Sequence, residues 1–297
     1  MTLDDLMYKP GLLNGQRILV TGGGTGLGRV MTEAFQLLGA EVHICGRRGG
    51  VVEETARELM DLHGGKVVGH ACDVRDSGMV GEMVEKIWTD SGALTGLVNN
   101  AAGNFVSRTE DLSMRGFDAV SQIVMRGGFN LTLECGKRWI EAGQKASVLS
   151  ILVTWIWNGG PFVVPSAMAK SAMNTLTQSL AVEWGPKGIR FNAIAPGLFP
   201  TEGMSARLNP QGGEHTTRGG NPMGRTGKMP ELANLAVYLM SPQAEYMTGQ
   251  TMAIDGGQYQ ATGGNFAFMS QWTDADWQKA RENIEAKNKA DREQRTT

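Results

Sequence analysis

No apolar run in this sequence approaches the roughly 20 residues that a helix needs to cross a bilayer, so it holds no candidate membrane span. Cysteine is scarce. The three thiols, Cys45, Cys72 and Cys135, are odd in number and widely spaced, with no C-x-x-C pair, which excludes a disulfide framework. Four scattered histidines add no metal-ligand spacing, so no metal site is expected. Excess charge is missing too: 28 Lys plus Arg against 30 Asp plus Glu leave a net charge of −2, without the basic stripe that nucleic acid requires. The first residues, MTLDDLMYKPG, have neither the charged-then-apolar order of a signal peptide nor the Arg-rich face of a transit peptide, and the expectation is a cytoplasmic protein. Small molecules are the partners left.

What is plentiful is glycine, 41 of 297 residues, set among recurring apolar segments, which suits many short turns between strands and helices. With 41% hydrophobic residues the chain can bury a full core, and α/β folds often reach this length as one domain. The expectation is one domain over 1–297, with a core at about 12–258 and a tail at about 259–297.

The rest is organised around Arg17 to Gly28, RILVTGGGTGLG, which reads as a strand, a glycine turn and the start of a helix. Gly22, Gly26 and Gly28 follow T-G-x-x-x-G-x-G. Residues without a Cβ let backbone N–H groups approach a pyrophosphate, and the helix from about Thr25 to Gly39 aims its positive end at that charge. Its apolar positions Val30, Met31, Ala34, Phe35 and Leu38 supply the helical context the pattern needs. A second strand, Glu41 to Cys45, ends in Gly46, Arg47 and Arg48, where an NAD site would carry an acidic residue for the ribose. Two guanidiniums there suit a 2′-phosphate, which points to NADP(H).

Strand and helix then alternate: helix from Val51, strand Lys66 to Cys72, helix Ser77 to Thr89, strand Gly96 to Val98, a helical region Leu112 to Glu141 interrupted by Gly127 and Gly128, and strand Ser147 to Val153. A helix from near Pro165, a strand Gly188 to Ala195, a helix Glu231 to Met240 and a strand Thr251 to Asp255 follow. This order predicts an α/β, Rossmann-type doubly wound parallel sheet with a C-terminal helical tail. The segment from Pro196 to Met229 is long for a connection and reads as a lid, with His215 solvated. In the tail, Thr273 and Asp276 suggest a capping box before a helix with Trp277, Ala280 and Ile284 on one face.

Five motifs carry a resemblance: Thr21 to Gly28, CDVRD (Cys72 to Asp76), NNAAGNF (Asn99 to Phe105), FVVPSAMAK (Phe162 to Lys170) and PGLFPT (Pro196 to Thr201). On them the chain resembles the short-chain dehydrogenases/reductases, and within that superfamily the NADPH-dependent 2,4-dienoyl-CoA reductases. The resemblance implies cofactor contacts at Thr21, Gly22, Thr25, Gly26, Leu27, Gly28, Arg47, Arg48, Asp73, Val74, Asn99, Ala101, Gly103, Lys170, Pro196, Gly197 and Thr201. It places Asp73 at the adenine, Lys170 at the nicotinamide ribose and Thr201 at the carboxamide, and it implies a homotetramer.

The chain also departs from that pattern. Where most short-chain reductases carry Asn, Ser, Tyr and Lys, it has Val124 or Arg126, then Val153, Ser166 and Lys170. Ser166 and Lys170 are four apart on one helix face. An aliphatic hydroxyl is a far weaker acid than a phenol, which titrates near about 10, so Ser166 is a poor proton donor. Dienoyl-CoA reductases also carry this Ser, and their chemistry asks first for an oxyanion stabiliser. The residues matching their two donors are Trp155 and Arg126, giving catalytic candidates Lys170, Ser166, Trp155 and Arg126. Against that stands the reading of Trp155, Trp157 and Phe162 as a packed aromatic wall and of Arg126 as facing another subunit. Three functions follow: reduction of a conjugated acyl-CoA, reduction of a bulky ketone, or a nucleotide-binding assembly subunit without catalysis.

Overall fold

The computed structural model describes residues 1–201, 221–263, 269, 272–280 and 282–283. Seven strands form one sheet: β1 (Arg17–Thr21), β2 (Glu41–Gly46), β3 (Val67–Ala71), β4 (Gly96–Asn99), β5 (Ala146–Ile151), β6 (Ile189–Pro196) and β7 (Thr251–Ile254). All pairings are parallel and the spatial order is β3-β2-β1-β4-β5-β6-β7. The chain leaves β1 in one direction and returns on its other side at β4, so a crevice opens at the carboxyl ends of these two strands, where such sheets take ligands.

Both faces of the sheet are covered, which is why β1, β5 and β6 are buried almost throughout. On one face, Ile18 and Val20 pack with Met31 and Phe35 of α1 (Gly26–Leu37), Leu59 of α2 (Gly49–His63) and Val237 of a later helix, Met229–Met240. On the other, Leu19 packs with Val84 and Ile87 of α3 (Ser77–Asp90) and with Leu131, Cys135 and Trp139. The alternation within β1 thus decides which core each residue joins.

The long helical region differs from expectation. It runs as α4 (Met114–Ser121), a π-helical turn over Gln122–Arg126 and α5 (Gly127–Ala142), and the glycines do not interrupt it. They permit close packing instead: a Cβ on Gly127 would lie 2.6 Å from Val74, and one on Gly128 2.6 Å from Met173. After β5 comes a short helix that periodicity could not show, α6 (Trp155–Asn158), then α7 (Val164–Glu183), α8 (Met229–Met240) and α9 (Gln258–Gly263). In the tail, Thr273 and Asp276 do form the reciprocal bonds of a capping box, and residues 274–280 are helical. Ile284 and the His215 segment lie outside the described residues.

α5 crosses α7 at Gly136, where an added Cβ would stand 2.2 Å from the buried Trp184 ring. Because that ring is held by the second core, Gly136→Ala should cost about 1–3 kcal/mol, the usual range for overpacking, read as a lower urea midpoint at unchanged m-value.

Candidate cofactor and substrate site

The phosphate end is built from β1 and β4. Thr21 Oγ1 accepts the backbone N–H groups of Asn100 (2.9 Å) and Ala101 (2.8 Å) and donates to Val98 O (3.2 Å). Asn100 Nδ2 in turn donates to Thr21 O at 2.8 Å, so Asn100, absent from the sequence candidates, fastens the glycine turn to the end of β4. Gly22 and Gly26 have φ of +65° and +54°, which side chains rarely adopt. A Cβ on Gly28 would fall 2.2 Å from Gly22 O. Thr25 precedes α1 in extended conformation and its side chain caps nothing, which leaves the first helical amides to a ligand. Thr201 lies against Gly26, 3.6 Å from where a Cβ would sit. Leu27 is half-buried beside it.

From this turn a groove of about 600 Å³ runs past Gly46, Arg47, Arg48, Asp73, Val74 and Ala101. Arg47 and Arg48 are exposed and, among the described residues, form no ion pair. Asp73 is gripped instead by Arg75, whose Nε donates at 2.9 and 3.0 Å and holds the carboxyl below its usual range. Its carboxylate is therefore shared between Arg75 and any adenine contact. Cys72 also borders the groove; burial pushes its thiol up to about 11, so it is no nucleophile at neutral pH.

At the far end α7 presents Ser166 and Lys170, both buried. Lys170 Nζ donates to Ile151 O, and burial lowers its pKa to about 8, with no carboxylate among the described residues to restore it. Ser166 makes no side-chain hydrogen bond among the described residues, so its hydroxyl is available. Asn99 is buried and donates from Nδ2 to Thr132 Oγ1 at 3.0 Å, bonding α5 rather than open groove. Gly103 is half-buried, facing Ile123. Buried Pro196 ends β6 and half-buried Gly197 follows it, with no room for a Cβ because Asp255 lies 2.7 Å away. Asp255 Oδ2 accepts from Tyr259 N at 2.8 Å and so seats α9.

The four catalytic candidates are not all together. Trp155 is half-buried under Gly160, and its Nε1–H has no acceptor among the described residues. Trp157 stacks on Tyr259 with centroids 4.4 Å apart, joining α6 to α9. Arg126 is exposed at the end of the π turn, while its neighbours Ile123, Val124, Gly127 and Gly128 line the chamber around Lys170. Val153 is half-buried between β5 and α6. Tyr259 was not singled out from sequence, since its stacking partner is 102 residues away, 259 − 157; Asn100 was read as part of the NNAAGNF run, but its bond to Thr21, 79 residues away (100 − 21), is marked by no local pattern.

A family model described as enoyl-(acyl carrier protein) reductase matches residues 22–259. The chain belongs to the short-chain dehydrogenase/reductase family. Among curated members, it is 39% identical over 282 residues to a probable 2,4-dienoyl-CoA reductase of Caenorhabditis elegans, covering 92% of this chain and 91% of the relative. A probable 2,4-dienoyl-CoA reductase of Bacillus subtilis is 37% identical, at 82% and 96% coverage. Among solved structures, a citronellol catabolism dehydrogenase of Pseudomonas aeruginosa is 35% identical with a TM-score of 0.75, over 86% of this chain and all of that one. A gluconate 5-dehydrogenase of Burkholderia cenocepacia, solved with NADP and tartrate, is 27% identical with a TM-score of 0.77, over 84% and 96%.

For this member of the family a nicotinamide cofactor fits the groove. Gly23 and Gly28 have no space for a Cβ and Gly22 and Gly26 hold positive φ, Thr25 leaves the α1 amides uncapped, and two exposed guanidiniums, in no ion pair among the described residues, stand where a further phosphate would reach. No helix of the described residues is long and apolar enough to cross a membrane.

Replacing both arginines (Arg47→Ala with Arg48→Ala) should weaken NADPH binding about 10- to 100-fold, the value of one or two charge-assisted hydrogen bonds, and change NADH binding by less than about threefold. Fluorescence titration of both cofactors measures this. The stability contribution of Lys170 has a definite sign. With a folded pKa of about 8 and an unfolded one near about 10.4, the unfolded state holds more protons in that window, so stability rises with pH across it. Urea unfolding at both ends of the window should show this rise, and Lys170→Met should lack it.

Proposed function

We propose that the chain reduces a conjugated acyl-CoA thioester, a 2,4-dienoyl or enoyl substrate, with NADPH. The observation that carries this reading is the pairing of Lys170 with Ser166 in a buried site that has no phenol at the usual position. Such a site is ill suited to protonating an alkoxide. It suits a reaction in which negative charge spreads over a thioester and protonation at carbon comes later. The names of the curated relatives, 2,4-dienoyl-CoA reductases at 37–40% identity, support the same substrate class.

In this reading the glycine turn, Thr25, Leu27 and Thr201 hold the cofactor's phosphates, Arg47 and Arg48 its 2′-phosphate, and Asp73 with Val74 its adenine. Ala101, Gly103, Pro196 and Gly197 border the nicotinamide, and Asn99 supports that edge from beneath. Bound NADPH supplies the hydride. Lys170 orients the nicotinamide ribose with its ammonium, and Ser166 binds water or substrate beside it. Trp155 offers its N–H to the thioester oxygen. Arg126 lies further out, at the rim, where a guanidinium suits the CoA phosphates better than the reacting carbonyl. Phe162, Trp157 and Val106, all exposed at this edge, give the acyl chain an apolar mouth. We further propose a cytoplasmic homotetramer acting in fatty acid metabolism as one domain, with the tail beyond about residue 259 packed on its own or a neighbouring subunit.

NADPH oxidation with a short 2,4-dienoyl-CoA tests the reading. Turnover should prefer NADPH over NADH and fall at least about 100-fold in Lys170→Ala; tight cofactor binding with no turnover would defeat it. Trp155→Phe, which removes one oxyanion donor, should lower kcat about 10- to 100-fold with the NADPH dissociation constant unchanged.

A further inference from the structure

Three polar side chains meet in one enclosed chamber behind the Lys170 end of the site: Asn99 from β4, Ser150 from β5 and Lys170 from α7. Ser150 Oγ is buried and has no hydrogen-bond partner among the described residues. Asn99 uses its Nδ2 on Thr132 and leaves Oδ1 buried and, among the same residues, unpartnered. Lys170 has three N–H donors and one recorded acceptor, Ile151 O. Buried polar atoms are rarely left unpaired, and here two unpaired acceptors and a donor-rich ammonium share one space with room for a single water.

We propose that Asn99 Oδ1, Ser150 Oγ and Lys170 Nζ together bind one water molecule, which is a fixed part of the site and holds the lysine ammonium from the sheet side. A water satisfies all three at once: it accepts from Nζ and donates to Oδ1 and Oγ. Ser150 and Asn99 are then positioning residues, acting on the cofactor through Lys170. The other groups facing the chamber are Thr21 of β1, Val74 after β3, Ala101 after β4, Leu152 beside Ile151 after β5, Ile123 and Val124 of the π turn, the two glycines that open α5 and Met173 of α7, and none of them titrates. The water thus adds to Ile151 O a further polar neighbour that favours the charged lysine against the desolvation that depresses it. The proposal rests on Lys170 serving the cofactor, and its tests need no acyl substrate.

A crystal structure of the full chain that shows ordered waters should contain one peak within hydrogen-bond distance of all three atoms; a dry chamber overturns the proposal. Lys170 titration is read from its ζ-nitrogen NMR signal, assigned with Lys170→Met. It should centre near about 8 in the unsubstituted protein and about one unit lower in Ser150→Ala, with Ser150→Thr restoring it. An unchanged midpoint in folded Ser150→Ala overturns the role given to Ser150. If the shift is seen but no dienoyl-CoA turns over, the substrate reading fails and the water site stands.

Discussion

The hydrogen bonds around Thr21 set the frame for the whole site. One hydroxyl takes two successive amides from the end of β4, and Asn100 returns a bond to the end of β1. These two strands flank the point where the chain reverses its direction across the sheet, so the clamp fixes the edges of the crevice itself. Each bond is worth about 1 kcal/mol in net stability. Their larger effect is geometric: the glycine turn, the start of α1 and the small residues after β4 are held in one relation, and a cofactor meets a prepared surface.

From that clamp the site extends along two lines of differing chemistry. Toward β2 the groove is open and bordered by two exposed guanidiniums. Toward α7 it is closed, and Lys170 stands there without a counter-ion among the described residues. A lysine so placed costs stability at neutral pH, and in the proposed function a bound ribose offsets that cost by supplying acceptors.

Much of this was legible in the sequence. The boundaries of β2, read as Glu41 to Cys45, lie within one residue of the observed strand, because strands buried on both faces leave short continuous signals. The glycine turn was legible because close approach and positive φ leave few residues to choose from. Other features were hidden for physical reasons. Gly127 and Gly128 read as an interruption, yet they let a continuous helical segment press against Val74 and Met173. α6 is too short to show a helical period. The contribution of Asn100 depends on a partner 79 residues away, and the placement of Arg126 depends on a π turn that rotates the face of its helix.

Phe162 holds a φ of +64°, at about 1–2 kcal/mol for a residue with a Cβ, and its carbonyl accepts the N–H of Ser107 at 2.9 Å. The two loops that border the mouth, one after β4 and one after β5, are therefore fastened through main-chain atoms. Side chains on either loop can change without undoing that fastening. Val106 and the Phe162 ring itself are thus free to diverge in size and polarity under selection, while the chemistry behind them keeps its register. A lineage built on this scaffold can acquire new acyl shapes by drift at the rim, with no need to rebuild the floor.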